Sequence, residues 1–87
     1  MASYRILIKP SAAKELEAVG SKKDRTGIVA RIRSLASDPR PPGCQKLSGS
    51  EKYRVRQGAC RVVYSIEDDE LVVTIVRVAH RREAYRG

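Results

Sequence analysis

The order of predicted elements, βααβββ, points to an α+β fold: an antiparallel-rich sheet with two N-terminal helices packed on one face. Three observations carry this. Tyr53 to Tyr64 alternates apolar and polar residues around a glycine, the pattern of a β-hairpin. Ala12 to Ala36 holds two stretches of helical period separated by Gly20-Ser21. Leu71 to Val78 is a third β-prone run, set off from the hairpin by the acidic turn Glu67 to Glu70.

Taken in order, Tyr4 to Ile8 is a short β-prone run ended by Pro10, and Ser11 offers an N-cap for a first helix from Ala12 to about Val19. A second helix follows from about Lys23 to Ala36. Its apolar positions are Ile28, Val29, Ile32, Leu35 and Ala36. Lys22, Lys23, Arg25, Arg31 and Arg33 form its outer face, which reads as a solvated surface. Ser37 to Gly43 contains three prolines and forms a stiff connecting loop, because proline fixes φ and lacks the amide donor. Lys46-Leu47-Ser48-Gly49 continues this loop.

Strands are expected at about Lys52–Gln57, Cys60–Ile66 and Leu71–Val78. With Gly58-Ala59 as a type II′ loop, Gln57 faces Cys60, Arg56 faces Arg61, Val55 faces Val62 and Tyr53 faces Tyr64. If Asp68-Asp69 is the next loop, Tyr64 faces Val73 and Val62 faces Ile75. The core face is then Tyr53, Val55, Val62, Tyr64, Ile66, Leu71, Val73 and Ile75. The opposite face presents Arg54, Arg56, Arg61, Val63, Thr74 and Val76. The last strand is apolar on both faces, as a centrally placed strand would be. The acidic tip Glu67 to Glu70 reads first as a solvated turn, with local charge balance or repulsion from a phosphate backbone as secondary roles.

At 87 residues the chain is expected to be one domain over residues 1–87 with a modest core. Its formal net charge of +8 suits a polyanionic partner such as nucleic acid, an anionic membrane surface, or solubility alone. No apolar run approaches the roughly 20 residues of a spanning helix, and the first residues lack a signal-peptide core, so the expected location is cytoplasmic. Cys44 and Cys60 read as free thiols, and with a single histidine, His80, no metal or other cofactor is expected.

The chemistry concentrates on the hairpin. Like charges directly opposed on paired strands are destabilising, so Arg54, Arg56 and Arg61 gathered on one face suggest a site for a polyanion. Beyond the last strand, a helical turn would set Arg81 and Tyr85 on one side, where the ring could stack on an unpaired base. The alternative is a basic tail with Tyr85 tucked against the core. His80 belongs to the one side-chain type that ordinarily titrates near neutrality, at about 6.5. It reads either as an acid–base group or as a helix-terminal packing residue.

Several pieces in fixed order resemble the RelE family of toxins from type II toxin–antitoxin pairs, within the RelE/ParE superfamily. They are Asp38-Pro39-Arg40-Pro41-Pro42-Gly43, Lys46-Leu47, Tyr53 to Arg56, Gly58, Arg61 to Tyr64, and Val78 to Arg86. The resemblance implies a RelE-like fold and a metal-independent, ribosome-dependent endoribonuclease (an mRNA interferase). Such a toxin cuts mRNA in the ribosomal A site by 2′-hydroxyl attack, inhibits translation, and is neutralised by a RelB-like antitoxin. It also implies roles for Arg54 and Arg56 on the first hairpin strand, Arg61 as the phosphate-stabilising arginine, and Arg81 and Tyr85 near the end. Well-studied members carry lysine where Arg54 and Arg56 stand. Arginine stays protonated in proteins, so these two suit phosphate clamping and leave proton transfer to Tyr85, His80 or the ribosome. The alternatives are a ParE-like toxin that acts on DNA gyrase, and a non-catalytic nucleic-acid-binding module of the same fold.

Overall fold

A computed structural model of the chain describes residues 3–49 and 51–80, the last through its backbone alone. The elements are β1 (Arg5–Ile8), α1 (Pro10–Glu17), α2 (Lys22–Ser34), β2 (Gln45–Lys46), β3 (Lys52–Gln57), β4 (Cys60–Glu67) and β5 (Val72–His80). They build a five-stranded mixed sheet in the order β1-β5-β4-β3-β2, with β1 parallel to β5 and the other pairs antiparallel. The α+β class and the two-helix layer match expectation. The additional strand is β2, whose two residues are too few to carry a periodic signal.

Helix α1 begins two residues earlier than Ser11 as N-cap suggests. Pro10 occupies its first turn and Lys9 is the N-cap, because proline's fixed φ and missing N–H suit that position. Helix α2 is capped by Ser21, whose hydroxyl accepts from the Asp24 amide at 3.2 Å. Both helices pack on one sheet face. Ala12, Val19, Ile28, Ile32 and Leu35 meet Val55, Cys60, Val62, Tyr64, Val73, Ile75 and Val78 in a single buried cluster.

The β3–β4 hairpin has the expected register, from Gln57 opposite Cys60 to Tyr53 opposite Tyr64, and Gly58 takes the positive φ of +58° that its turn requires. The β4–β5 hairpin differs. Its loop runs through residue 71, so Glu67 faces Val72, Ile66 faces Val73 and Tyr64 faces Ile75. Tyr64 therefore does not face Val73, nor Val62 Ile75. Leu71 leaves the expected core face: it sits in the turn at φ +55° and is 38% exposed. A bulge then intervenes, because Val63 faces Arg77 while its neighbour Tyr64 faces Ile75, which leaves Val76 as the extra residue.

The proline loop and the acidic tip are fastened to each other. Arg40 lies over the Tyr53 ring, 5.2 Å from its centroid, and donates through both terminal nitrogens to Asp68 at 3.2 and 2.9 Å. The Tyr4 hydroxyl donates to the same carboxylate at 2.7 Å. The tip is therefore a docking point as well as a turn, and charge balance, a secondary expectation, describes Asp68. Hydrogen bonds from Arg40, then Tyr4, hold the Asp68 carboxyl below its ordinary range. A carboxyl with a depressed folded pKa stabilises the fold above its unfolded value, about 3.9, and that contribution disappears as pH falls through the folded value. Thermal unfolding followed from about pH 5 down to pH 2 should show a melting-temperature loss below about pH 4 that Asp68→Asn flattens.

Candidate functional site

The strand register sorts the sheet face away from the helices into rows. The first runs Arg56, Arg61, Ala79; the second Gln45, Arg54, Val63, Arg77; the third Lys52, Ser65, Thr74, Leu7. Directly opposed residues have Cβ atoms about 5 Å apart, so Arg56 and Arg61 form a close like-charge pair. Five cations share these three rows, and a fourth row of the same face, Glu67, Val72 and Arg5, adds a carboxylate and a sixth cation at the end far from Arg56 and Arg61. Arg54 and Arg61 are half-buried and Arg56 is exposed. The three hairpin arginines predicted for the site are thus brought together.

Three members of this face are not among the residues that the sequence singles out. Lys52 has the same alternation as Arg54 and Arg56, and that signal is available one step further along the strand. Gln45, on β2, accepts from Arg54 through its side-chain oxygen and orients that guanidinium. Arg77 is placed opposite Val63 by the bulge, whereas uninterrupted alternation would turn it towards the helices. Arg77 also meets Glu15 of α1, with Nε to Oε2 at 3.5 Å. Of the expected apolar members, Val63 and Thr74 lie in the rows, while Val76 is the bulge residue.

The remaining predicted site residues follow β5 in sequence. Ala79 is opposite Arg61 and the His80 backbone is opposite Cys60, so the described end of β5 lies beside the Arg56–Arg61 pair. The His80 side chain, Arg81 and Tyr85 lie outside the described residues. Neither Cys44 nor Cys60 is in a disulfide, and Cys60 is buried. Among the described residues no helix is long and apolar enough to cross a membrane.

Tyr64 anchors this face from beneath. Its ring is fully buried and stacks on Tyr53, with centroids 5.9 Å apart and planes 25° from parallel. Its hydroxyl donates to the Pro39 carbonyl at 2.8 Å. Burial, then the neighbouring Cys44, pushes the Tyr64 hydroxyl well above the ordinary phenol range. It therefore remains a neutral donor that ties β4 to the proline loop.

The arrangement can bind a chain of phosphates. Guanidinium groups grip phosphate oxygens through parallel donors, and several on one face would follow successive phosphates or surround a single reacting one. An anion between like charges on opposed strands reduces their mutual repulsion.

The fold recurs among solved structures. It superposes on the toxin–antitoxin complex RelBE2 from Mycobacterium tuberculosis with a TM-score of 0.82 at 24% identity, over 93% of this chain and 94% of that one. The archaeal RelE–RelB complex from Pyrococcus horikoshii gives a TM-score of 0.81 at 27% identity, covering 91% and 96%. The isolated E. coli RelE toxin gives 0.76 at 26% identity, covering 97% and 93%. No curated protein sequence matches the chain. The family model described as "ParE toxin of type II toxin-antitoxin system, parDE" matches residues 6–85. With nearly its whole length matched, and with a fold shared with RelE toxins, the chain belongs to the ParE toxin family of type II toxin–antitoxin systems.

Proposed function

We propose that this toxin is a ribosome-dependent mRNA endoribonuclease, held in check by a RelB-like antitoxin. The observation that supports it most is the arginine array on the open sheet face: Arg56 directly opposite Arg61, with Arg54 and Arg77 in the adjoining row. In the reaction, the 2′-hydroxyl of a nucleotide attacks its own 3′ phosphate and loses its proton. The bond from phosphorus to the next 5′ oxygen breaks, and that oxygen takes up a proton. The products are a 2′,3′-cyclic phosphate and a 5′-hydroxyl.

Negative charge grows on the non-bridging oxygens during attack, and fixed cations stabilise it more in the transition state than in the ground state. Arg61 is assigned to that task, with Arg54 and Arg56 holding flanking phosphates. Resemblance to the RelE toxins assigns Arg81 a second phosphate contact and Tyr85 a stacking partner for a base. Neither Arg54 nor Arg56 can accept the 2′ proton, because a guanidinium is not deprotonated in proteins. Tyr85, His80 or the ribosome takes that role. A site without a strong base depends on its substrate being aligned for it, which accounts for a requirement for ribosomes. The antitoxin partner is supported by the neighbours of the same fold that were solved as toxin–antitoxin complexes.

The family model's own description favours a second reading, a ParE-like toxin acting on DNA gyrase. Primer extension on a defined mRNA, bound to ribosomes and free, separates the two. Cuts within the A-site codon that require ribosomes are expected. Their absence, together with gyrase-dependent DNA breaks in a parallel assay, would replace the nuclease reading with the second.

A further inference from the structure

We infer that Glu15 is a positioning residue for the site, a carboxylate that stands in for a missing strand and holds the end of β5 beside Arg61. This rests on the nuclease reading for what the positioned segment does.

Glu15 breaks the pattern of its own helix. Ala12 and Leu16 lie on the inward stripe of α1, Val19 packs inward just past its C-cap, and the same spacing puts position 15 on that stripe too. An apolar side chain would satisfy the stripe, yet the residue is a carboxylate, 29% exposed. The sheet supplies the reason. Strand β1 covers β5 only as far as Ile8 opposite Ile75. The last bond of that edge runs from the Lys9 amide to the Ile75 carbonyl at 3.0 Å, and the chain then turns into α1. Strand β5 continues to His80 with no described strand on that side. An amide left there has to find a partner other than a ladder.

Glu15 is that partner. Its Oε1 accepts from the Val78 amide at 2.9 Å, and its Oε2 lies 3.5 Å from the Arg77 guanidinium. One carboxylate thus holds the backbone of one residue and the side chain of the one before it. Both follow directly after the Val76 bulge, and both directly precede Ala79, the residue opposite Arg61. A bulge bends and twists its strand, so the direction of the chain beyond it needs fixing from outside the ladder. The Glu15–Val78 bond does this between the bulge and Ala79, opposite Arg61. The Arg77 pair is about half exposed and contributes little by itself, so the amide bond is the part that matters.

The test compares Glu15→Gln, which keeps an oxygen acceptor, with Glu15→Ala, which removes it. In the folded full-length chain, Val78 amide exchange should accelerate about 10-fold or more in Glu15→Ala, stay near wild type in Glu15→Gln, and leave Val62 unchanged. Ribosome-dependent cleavage is measured at a temperature where all three proteins are folded. Glu15→Ala should lower kcat by about 10- to 100-fold with KM for programmed ribosomes unchanged, and Glu15→Gln should restore most of the rate. Unchanged exchange at Val78 in Glu15→Ala would overturn the proposal. Faster exchange with an unaltered kcat would overturn it equally, leaving Glu15 a purely structural contact. If wild type cleaves nothing on ribosomes, the nuclease reading fails alone, and the exchange comparison still decides whether Glu15 holds β5.

Discussion

Replacing Arg61 with alanine is expected to slow ribosome-dependent cleavage by about 100- to 1,000-fold, the loss typical of removing one donor to a developing oxyanion. Arg61 lies on β4, near the middle of the sheet order, with Arg56 across from it on one side and Ala79 on the other. It is half-buried, so its charge acts where water screens it less than at an exposed position. Because the lost interaction belongs to the transition state, kcat should fall while KM for programmed ribosomes stays nearly constant. Arg61→Lys should recover part of the rate, since an ammonium keeps the charge but loses the two-pronged grip. Single-turnover cleavage with saturating ribosomes measures this directly. A rate within about 3-fold of wild type for Arg61→Ala would remove Arg61 from the mechanism.

Tyr64 carries the largest expected effect on stability. Tyr64→Ala removes a fully buried ring from the centre of the core and should cost about 3–5 kcal/mol. Tyr64→Phe keeps the ring and its stack on Tyr53 but leaves the buried Pro39 carbonyl without its donor, at about 1–3 kcal/mol. In a domain of this size each kcal/mol moves the melting temperature by about 4–8 °C. Tyr64→Phe should therefore melt clearly below wild type, with Tyr64→Ala lower again or unfolded at room temperature. Thermal denaturation of both beside Arg61→Ala separates the two kinds of loss. The arginine variant should melt close to wild type while losing activity, and a Tyr64→Phe protein as stable as wild type would show that the Pro39 bond contributes nothing.

The first hairpin is legible to the residue because two signals agree there, strict alternation and a glycine in the position that needs positive φ. That agreement is also why alternation alone gathers Arg54, Arg56 and Arg61 on one face. The second hairpin differs from its expected register by two residues, since nothing in Glu67 to Leu71 marks Leu71 as a left-handed turn residue. A two-residue slip preserves which face each side chain takes, so Val73 and Ile75 still reach the core. The Val76 bulge has no local signature, and Arg77 escapes notice for that reason. Strand β2 is too short to show a period, which hides Gln45. Glu15 is invisible for another cause: its partner is a backbone amide 63 positions away, exposed only because β1 stops short.

The bulge gives β5 two reading frames. Upstream of Val76, odd-numbered residues such as Val73 and Ile75 face the helices; downstream, the even-numbered Val78 does. The single inserted residue is what lets one strand build the core with one parity and present Arg77 to the arginine array with the other. Pairing Val76 within the ladder, with no bulge, would turn Arg77 inward and Val78 outward in one step, whereas deleting it would close the ladder and leave both on their present faces. The identity of the Val76 side chain therefore matters less than its exclusion from the ladder, and spacing, more than chemistry, is what this position encodes.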